Sequence, residues 1–111
     1  MKKLIILIVF STLFIECEKI SAPDCIQTKI DEILAEKVWS PPAKVYQYTY
    51  NGQKVYYFPP TCCDIPSILF DKNCNVLCNP DGAFSGGGDG RCPSFFSTRT
   101  DEKLIWEDKR H

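Results

Sequence analysis

The chain has 111 residues, 13 Lys and Arg against 14 Asp and Glu, and seven cysteines. That length accommodates one small domain and no second core, and a charge so near neutral gives nucleic acid and anionic lipid nothing to attract. Seven cysteines in so short a chain exceed what a reducing compartment normally sustains, so the compartment decides how they are read.

The amino terminus addresses the compartment. Met1-Lys2-Lys3 is basic and Leu4 to Ile15 is apolar apart from Ser11 and Thr12, the pattern of an export signal. The run breaks at Glu16, short of the about 20 apolar residues that a membrane-spanning helix requires. Leu13-Phe14-Ile15-Glu16-Cys17 resembles a lipobox, in which cleavage before the cysteine leaves its sulfur to carry diacylglycerol, although Ile15 and Glu16 depart from the small residues preferred there. The expected organisation is a signal peptide over 1–16, a lipid-anchored tether over 17–23 starting at Cys17, and a single cysteine-rich domain over 24–111. The expected location is the cell envelope, with the membrane as a partner through the acyl chains alone. An ordinary signal cut near Ser21-Ala22 is the alternative.

In the tethered part, Asp24-Cys25-Ile26-Gln27 reads as a capping box opening a helix. Ile26, Ile30, Ile33 and Leu34 fall on one face of it, Lys29, Asp31, Glu32 and Glu36 on the other. Ser40-Pro41-Pro42 stops it. A β-hairpin follows over 44–58, where Asn51-Gly52 suits the positive φ angles of a type I′ turn. A two-residue loop sets Tyr48 opposite Val55 and Tyr46 opposite Tyr57, and puts Tyr46, Tyr48, Tyr50, Val55 and Tyr57 on one face. That face could bind a peptide or a glycan. One element away from an amphipathic helix, it is expected to be core.

Beyond Pro59-Pro60, Ile68 to Phe70 and Asn75 to Cys78 read as short strands about a turn. Asn79 to Arg91 reads as a glycine-rich loop whose far end Cys92 ties down, and Lys103 to Glu107 as a last strand with Trp106 as a core anchor. The expected fold class is α+β: one N-terminal helix packed on a small antiparallel sheet, stapled by disulfides.

With Cys17 lipidated, Cys25, Cys62, Cys63, Cys74, Cys78 and Cys92 remain, an even set that allows three disulfides in fifteen pairings. Adjacent strand residues point to opposite faces, so Cys62 and Cys63 are expected to seek different partners, one toward Cys25 and the other toward the 74–92 region. Zinc usually takes paired knuckles, and Cys74-x3-Cys78 stands alone. A redox Cys-x-x-Cys is lacking.

The loop admits sharper readings. Asp71, Asn73, Asp81 and Asp89 could supply oxygen ligands to calcium, although an EF-hand register fails because Val76 and Gly82 occupy its sixth and twelfth positions. Turn chemistry explains the same residues more simply, so no cofactor is expected. Asp81, Asp89 and Arg91 are the candidate loop site. Catalysis is not expected, since His111 at the terminus is a poor base for Ser85 or Ser94.

The residues Cys62-Cys63-Asp64, Leu69-Phe70-Asp71 with Asn75, Cys78-x-Pro80-Asp81-Gly82 and Gly86-x-Gly88-Asp89-Gly90-x-Cys92-Pro93-x-Phe95 together resemble a family of small cysteine-rich bacterial lipoprotein domains of unknown function. The resemblance spans Val45 to Trp106 and implies the compartment and fold without an activity. The functional expectation is a non-catalytic envelope module binding a protein or glycan partner. The alternatives are a small protease inhibitor presenting loop 79–91, with Arg91 as its specificity residue, and a calcium-binding envelope domain.

Overall fold

Asn51 and Gly52 adopt φ angles of 51° and 79°, and this turn fixes the centre of the fold. It sets β1 (Lys44–Tyr50) against β2 (Gln53–Phe58) with Tyr46 opposite Tyr57 and Tyr48 opposite Val55, the register that a two-residue loop dictates. The computed structural model describes residues 22–62 and 64–110. The expected signal segment, Cys17, most of the tether, Cys63 and His111 lie outside the described residues.

Around the hairpin, β3 (Ile68–Asp71) pairs with β2, β4 (Val76–Cys78) with β3, and β5 (Thr100–Glu107) with the far side of β1. The result is an antiparallel five-stranded sheet in the order β4-β3-β2-β1-β5. Two short helices accompany it, α1 (Asp24–Leu34) and α2 (Phe95–Thr98). β5 starts at Thr100, three residues ahead of its expected start, and Trp106 is half-buried against the core rather than at its centre.

Both faces of the hairpin are covered, by different material. On one face Ile26, Ile30 and Ile33 of α1 cluster with Val45, Tyr56, Phe58 and Phe70. On the other, Tyr48, Tyr50, Val55 and Tyr57 cluster with Leu69, Cys78, Cys92 and Phe95. The tyrosine face is therefore core, as expected, but the helix is not what covers it: α1 shares its cluster with the opposite face, and α2 supplies the second lid. The physical reason lies in the alternate positions. Val45, Tyr56 and Phe58 are as apolar as the tyrosines, so this hairpin has no solvent side.

The ends of α1 also differ from the capping pattern. Pro23 is the N-cap, with φ −57° and ψ 155°, and no side chain caps the helix. Pro23 O accepts the Gln27 amide at 2.9 Å. Asp24 lies inside the first turn, and the Gln27 side chain donates forward to Asp31 at 3.0 Å instead of back. Asp24 still places a negative charge where the helix dipole favours it. The helix stops at Leu34, short of Ser40-Pro41-Pro42, where Trp39 donates to Glu36 at 2.9 Å and packs against the first cluster.

The last turn of α1 contains no basic residue. Arg110 supplies the cation from across the sequence, its Nη1 donating to Leu34 O at 3.1 Å and to Glu36 O at 3.0 Å. Asp108, whose side chain is fully buried, aims that guanidinium by accepting from Nη2 at 2.7 Å and Nε at 3.0 Å. The Asp108 amide in turn donates to Ala43 O at 2.9 Å. A distant cation thus meets the carbonyls that a helix end leaves unpaired.

The bridges correct the expected pairing. Cys25 bonds Cys74 across the face that α1 covers, and Cys78 bonds Cys92 across the base of the glycine loop. None of these four is therefore available to Cys62 or Cys63. Cys62 is itself disulfide-bonded.

Two measurements follow from the core and the clasp. Phe95 has no exposed surface and sits edge-on or tilted to the rings of Tyr48, Tyr50 and Tyr57. Phe95→Ala is expected to cost about 3–5 kcal/mol in urea unfolding, and Phe96→Ala, at a half-exposed position, clearly less. The hydrogen bonds from Arg110 hold the Asp108 carboxyl below its ordinary 3.8, so the clasp stabilises fully above that pH and fades as pH falls below it. The melting temperature should decline through this acid window, and less steeply in Asp108→Asn, which starts from a lower value at neutral pH.

Candidate functional site

The glycine loop closes over the tyrosine face, and its shape comes from side chains that the surrounding strands fix first. Tyr57 rises from β2, and its hydroxyl donates to Asp81 Oδ1 at 2.7 Å. Ser67, fully buried, lies just before β3. Its amide and hydroxyl both donate to Asp81 O, at 2.9 and 3.1 Å, and its hydroxyl accepts the Asp81 amide at 3.0 Å. Asn79 Nδ2 donates to Ser67 O at 2.7 Å. The entry of the loop is therefore a fully bonded strut. Burial, and then the bond to Asp81, push the Tyr57 hydroxyl well above the ordinary tyrosine value.

The exit is built by Asp89. Its carboxylate accepts the Arg91 amide at 3.0 Å and the Asn79 amide at 3.1 Å, and its own amide donates to Asn79 O at 2.9 Å. The Arg91 amide holds this carboxyl below the usual aspartate range. The Arg91 guanidinium folds back to Leu77 O at 2.7 Å and to Asp89 at 3.3 Å. Between entry and exit, Gly88 carries a φ of 72°, and a Cβ there would stand 2.0 Å from Asn79 O and 2.6 Å from Pro80 C. Only glycine allows the two limbs this close.

The apex is a tight turn. Gly86 N donates to Ala83 O at 3.2 Å, Ala83 adopts a φ of 64°, and Gly88 N donates to Gly82 O at 3.1 Å. Gly82 lies against the wall formed by Pro60, Ile65 and Pro66. Phe84, at the corner of this turn, is 91% exposed. Ile65 is 52% exposed on the wall beside the base of the loop.

The candidate residues are distributed accordingly. Asp81 and Asp89 both belong to the loop, as its entry strut and exit brace, and Arg91 is tied back to the same frame. Asp71 ends β3, where it accepts the amides of Asn73 and Asn75 in the following turn and the Asn75 side chain. These bonds, that from the Asn75 side chain foremost, lower its carboxyl from the ordinary value. Asn73 takes part there through its backbone. Among the described residues no group of three or more His, Cys, Asp and Glu is placed to hold a metal ion. The carboxylates support backbone amides and a tyrosine hydroxyl.

The aromatic floor beneath the loop contains its own charged contact. Arg99 lies 4.7 Å from the Tyr48 ring and 4.8 Å from that of Phe96, and its Nη1 donates to the Tyr48 hydroxyl at 3.0 Å. That hydroxyl donates to Glu102 at 2.9 Å. Burial first, and then this bond, push the Tyr48 hydroxyl up to about 12.

Residues 31–108 match DUF6970, a domain of unknown function. The chain belongs to the DUF6970 family. The match begins within α1, takes in every strand and the glycine loop, and ends at Asp108, two residues before Arg110. Comparison with curated proteins and with solved structures gives no match. For this DUF6970 domain, the disulfides point to an oxidising environment, and among the described residues no helix is long and apolar enough to cross a membrane.

Phe84 is the exposed feature that the sequence reading misses. It is the only large apolar residue between Asp81 and Arg91, and an aromatic ring isolated among glycines has nothing local to be buried against. That isolation is the signal that marks it.

The loop architecture is tested by a pair of glycine substitutions. Gly88→Ala should prevent the loop from closing and lower the melting temperature sharply, because the added carbon overlaps the backbone of residues 79–81. Gly86→Ala meets nothing within 4 Å and should cost only its left-handed backbone, about 1–2 kcal/mol. Urea unfolding of the two variants together checks the expectation.

Proposed function

We propose that the domain is a non-catalytic, disulfide-stabilised interaction module of the cell envelope, which engages a protein partner through the apex of the glycine loop. The observation that carries this reading is Phe84, almost fully exposed on a turn whose entry, exit and base are all bonded. A phenylalanine buried from water contributes about 1.5–3 kcal/mol. Presented on an ordered loop, it enters a partner's pocket with little further ordering cost, and aromatic anchors of this kind dominate interface energetics.

The apex favours this reading over protease inhibition. An inhibitor has to offer an extended segment to the enzyme's cleft, whereas 83–86 is closed by its own hydrogen bond. Arg91, the residue that would set the specificity of such an inhibitor, has its guanidinium engaged with Leu77 and Asp89. Calcium would have to displace amides from Asp71 and Asp89.

Export and lipid anchoring complete the proposal. They are supported by the basic and apolar stretch over 1–15, by Cys17 in its lipobox-like setting, and by a domain stapled through disulfides.

The test places a photoreactive phenylalanine analogue at position 84, or at exposed Val76 as a control, in the full chain expressed in its native cells. A discrete protein adduct from position 84 and not from 76 is expected. Phe84→Ala should leave the melting temperature nearly unchanged. Equal adducts from both positions, or none from 84, would show that the apex is not the contact.

A further inference from the structure

The two disulfides within the described residues occupy different surroundings. Cys78 and Cys92 are 1% and 7% exposed and belong to the second core cluster. Cys25 and Cys74 are only partly buried, and Cys25 forms part of the wall of an open hollow of about 500 Å³ between the start of α1, β2 and the β3–β4 turn. We propose that the Cys25–Cys74 bridge is a thiol-exchange site, at which an anionic thiol or dithiol attacks Cys25 from this hollow.

Charge selects the reagent. Lys54 and Lys72 line the hollow opposite a single carboxylate, that of Asp24. Two ammonium groups raise the local concentration of an anionic thiol, and the thiolate is the attacking form. Position favours the second displacement, the one that releases Cys25 as a thiolate: Cys25 lies in the first turn of α1, where the helix dipole stabilises a negative sulfur. Cys74 holds a left-handed φ of 64°, a conformation that a residue with a side chain adopts reluctantly and is free to leave once the bridge opens.

The exchange balances as two displacements. An incoming thiolate attacks Cys25 Sγ, forming a mixed disulfide, while the Cys25–Cys74 bond breaks and its electron pair departs on Cys74 Sγ, which takes a proton from water. With a dithiol, the reagent's second thiolate then attacks its own sulfur in the mixed disulfide and releases Cys25 as a thiolate. The reagent leaves as a disulfide and the protein has gained two electrons. The amino-terminal end of α1 is thereby unclasped, and the helix is retained by Ile26, Ile30 and Ile33 and by Arg110 at its other end.

The test treats oxidised full-length protein with mercaptoethanesulfonate, an anionic thiol, or with cysteamine, a cationic one, at matched thiolate concentration. Samples are quenched by alkylation and mapped by mass spectrometry. Cys25 and Cys74 should open at least about tenfold faster than Cys78 and Cys92, the first mixed disulfide among these four cysteines should form on Cys25, and the anionic reagent should be the faster. A Lys54→Ala, Lys72→Ala double variant should lose that preference while melting as the parent does. Opening of both bridges at one rate, first capture on Cys74, or a charge preference unchanged in the double variant would each overturn the proposal. A Cys25→Ser, Cys74→Ser variant separates local exchange from global unfolding: Cys78–Cys92 should resist both thiols in it, and rapid reduction there would likewise count against a local site.

Discussion

A hairpin with apolar and aromatic side chains on both faces has to cover both from water, and that requirement organises everything else in this domain. Val45, Tyr56 and Phe58 need one cover, and Tyr48, Tyr50, Val55 and Tyr57 need another. A chain of this size has few residues to spare, and α1, with three buried isoleucines, serves only the first face. The second face takes what is left: one phenylalanine from a four-residue helix, one bridge, and the base of a loop. Each lid is fastened as well as packed, α1 by Cys25–Cys74 and Arg110, and the loop by Cys78–Cys92 and the Tyr57–Asp81–Ser67 strut. Bridges that close chain loops in a small domain stabilise it on the scale of a few kcal/mol, about 2–5 each, which is commensurate with the whole stability of such a fold.

How much of this was legible depended on whether the cause was local. The register of β1 and β2 follows from Asn51-Gly52 alone, because two residues at positive φ leave one way to pair the strands, and the face that this register gives the tyrosines is core. The face that α1 chooses was not legible, since alternation identifies two faces without saying which one a helix reaches, and here both are apolar. The capping box failed for a related reason: Asp24 and Gln27 have the right spacing, but a proline entry and a disulfide in the first turn already set the geometry. The cysteine partners depended on where the β3–β4 turn lies relative to α1, a tertiary fact that adjacency of Cys62 and Cys63 does not contain. Asp108 and Arg110 lie beyond the last strand, where neither spacing nor neighbours mark them. Their role exists only because β5 returns beside β1 and brings the tail to the end of α1.

In the loop, most residues that invite a functional reading are used to make shape. Asp71 and Asp89 accept exposed backbone amides that set turns, and Asp81 accepts the partly buried Tyr57 hydroxyl, whose loss of a partner would be costly. Turn chemistry, the simpler reading of these residues, accounts for those bonds. What then stands out is a residue with no structural task, Phe84. A family that conserved only the frame would have no need of a ring at its apex, and comparison of DUF6970 sequences at this position would bear directly on the interaction reading.

The Arg110 clasp has a consequence for the order in which the domain assembles. Leu34 and Arg110 stand 76 positions apart, and the strand that delivers Arg110 is also the one that flanks β1. A chain emerging from its amino terminus can form α1 and the hairpin early, yet it has neither a stopper for the helix nor a fifth strand until its final residues arrive. Contacts this distant in sequence close slowly. Until β5 and Arg110 are in place, β1 lacks its outer neighbour and the end of α1 lacks its cation.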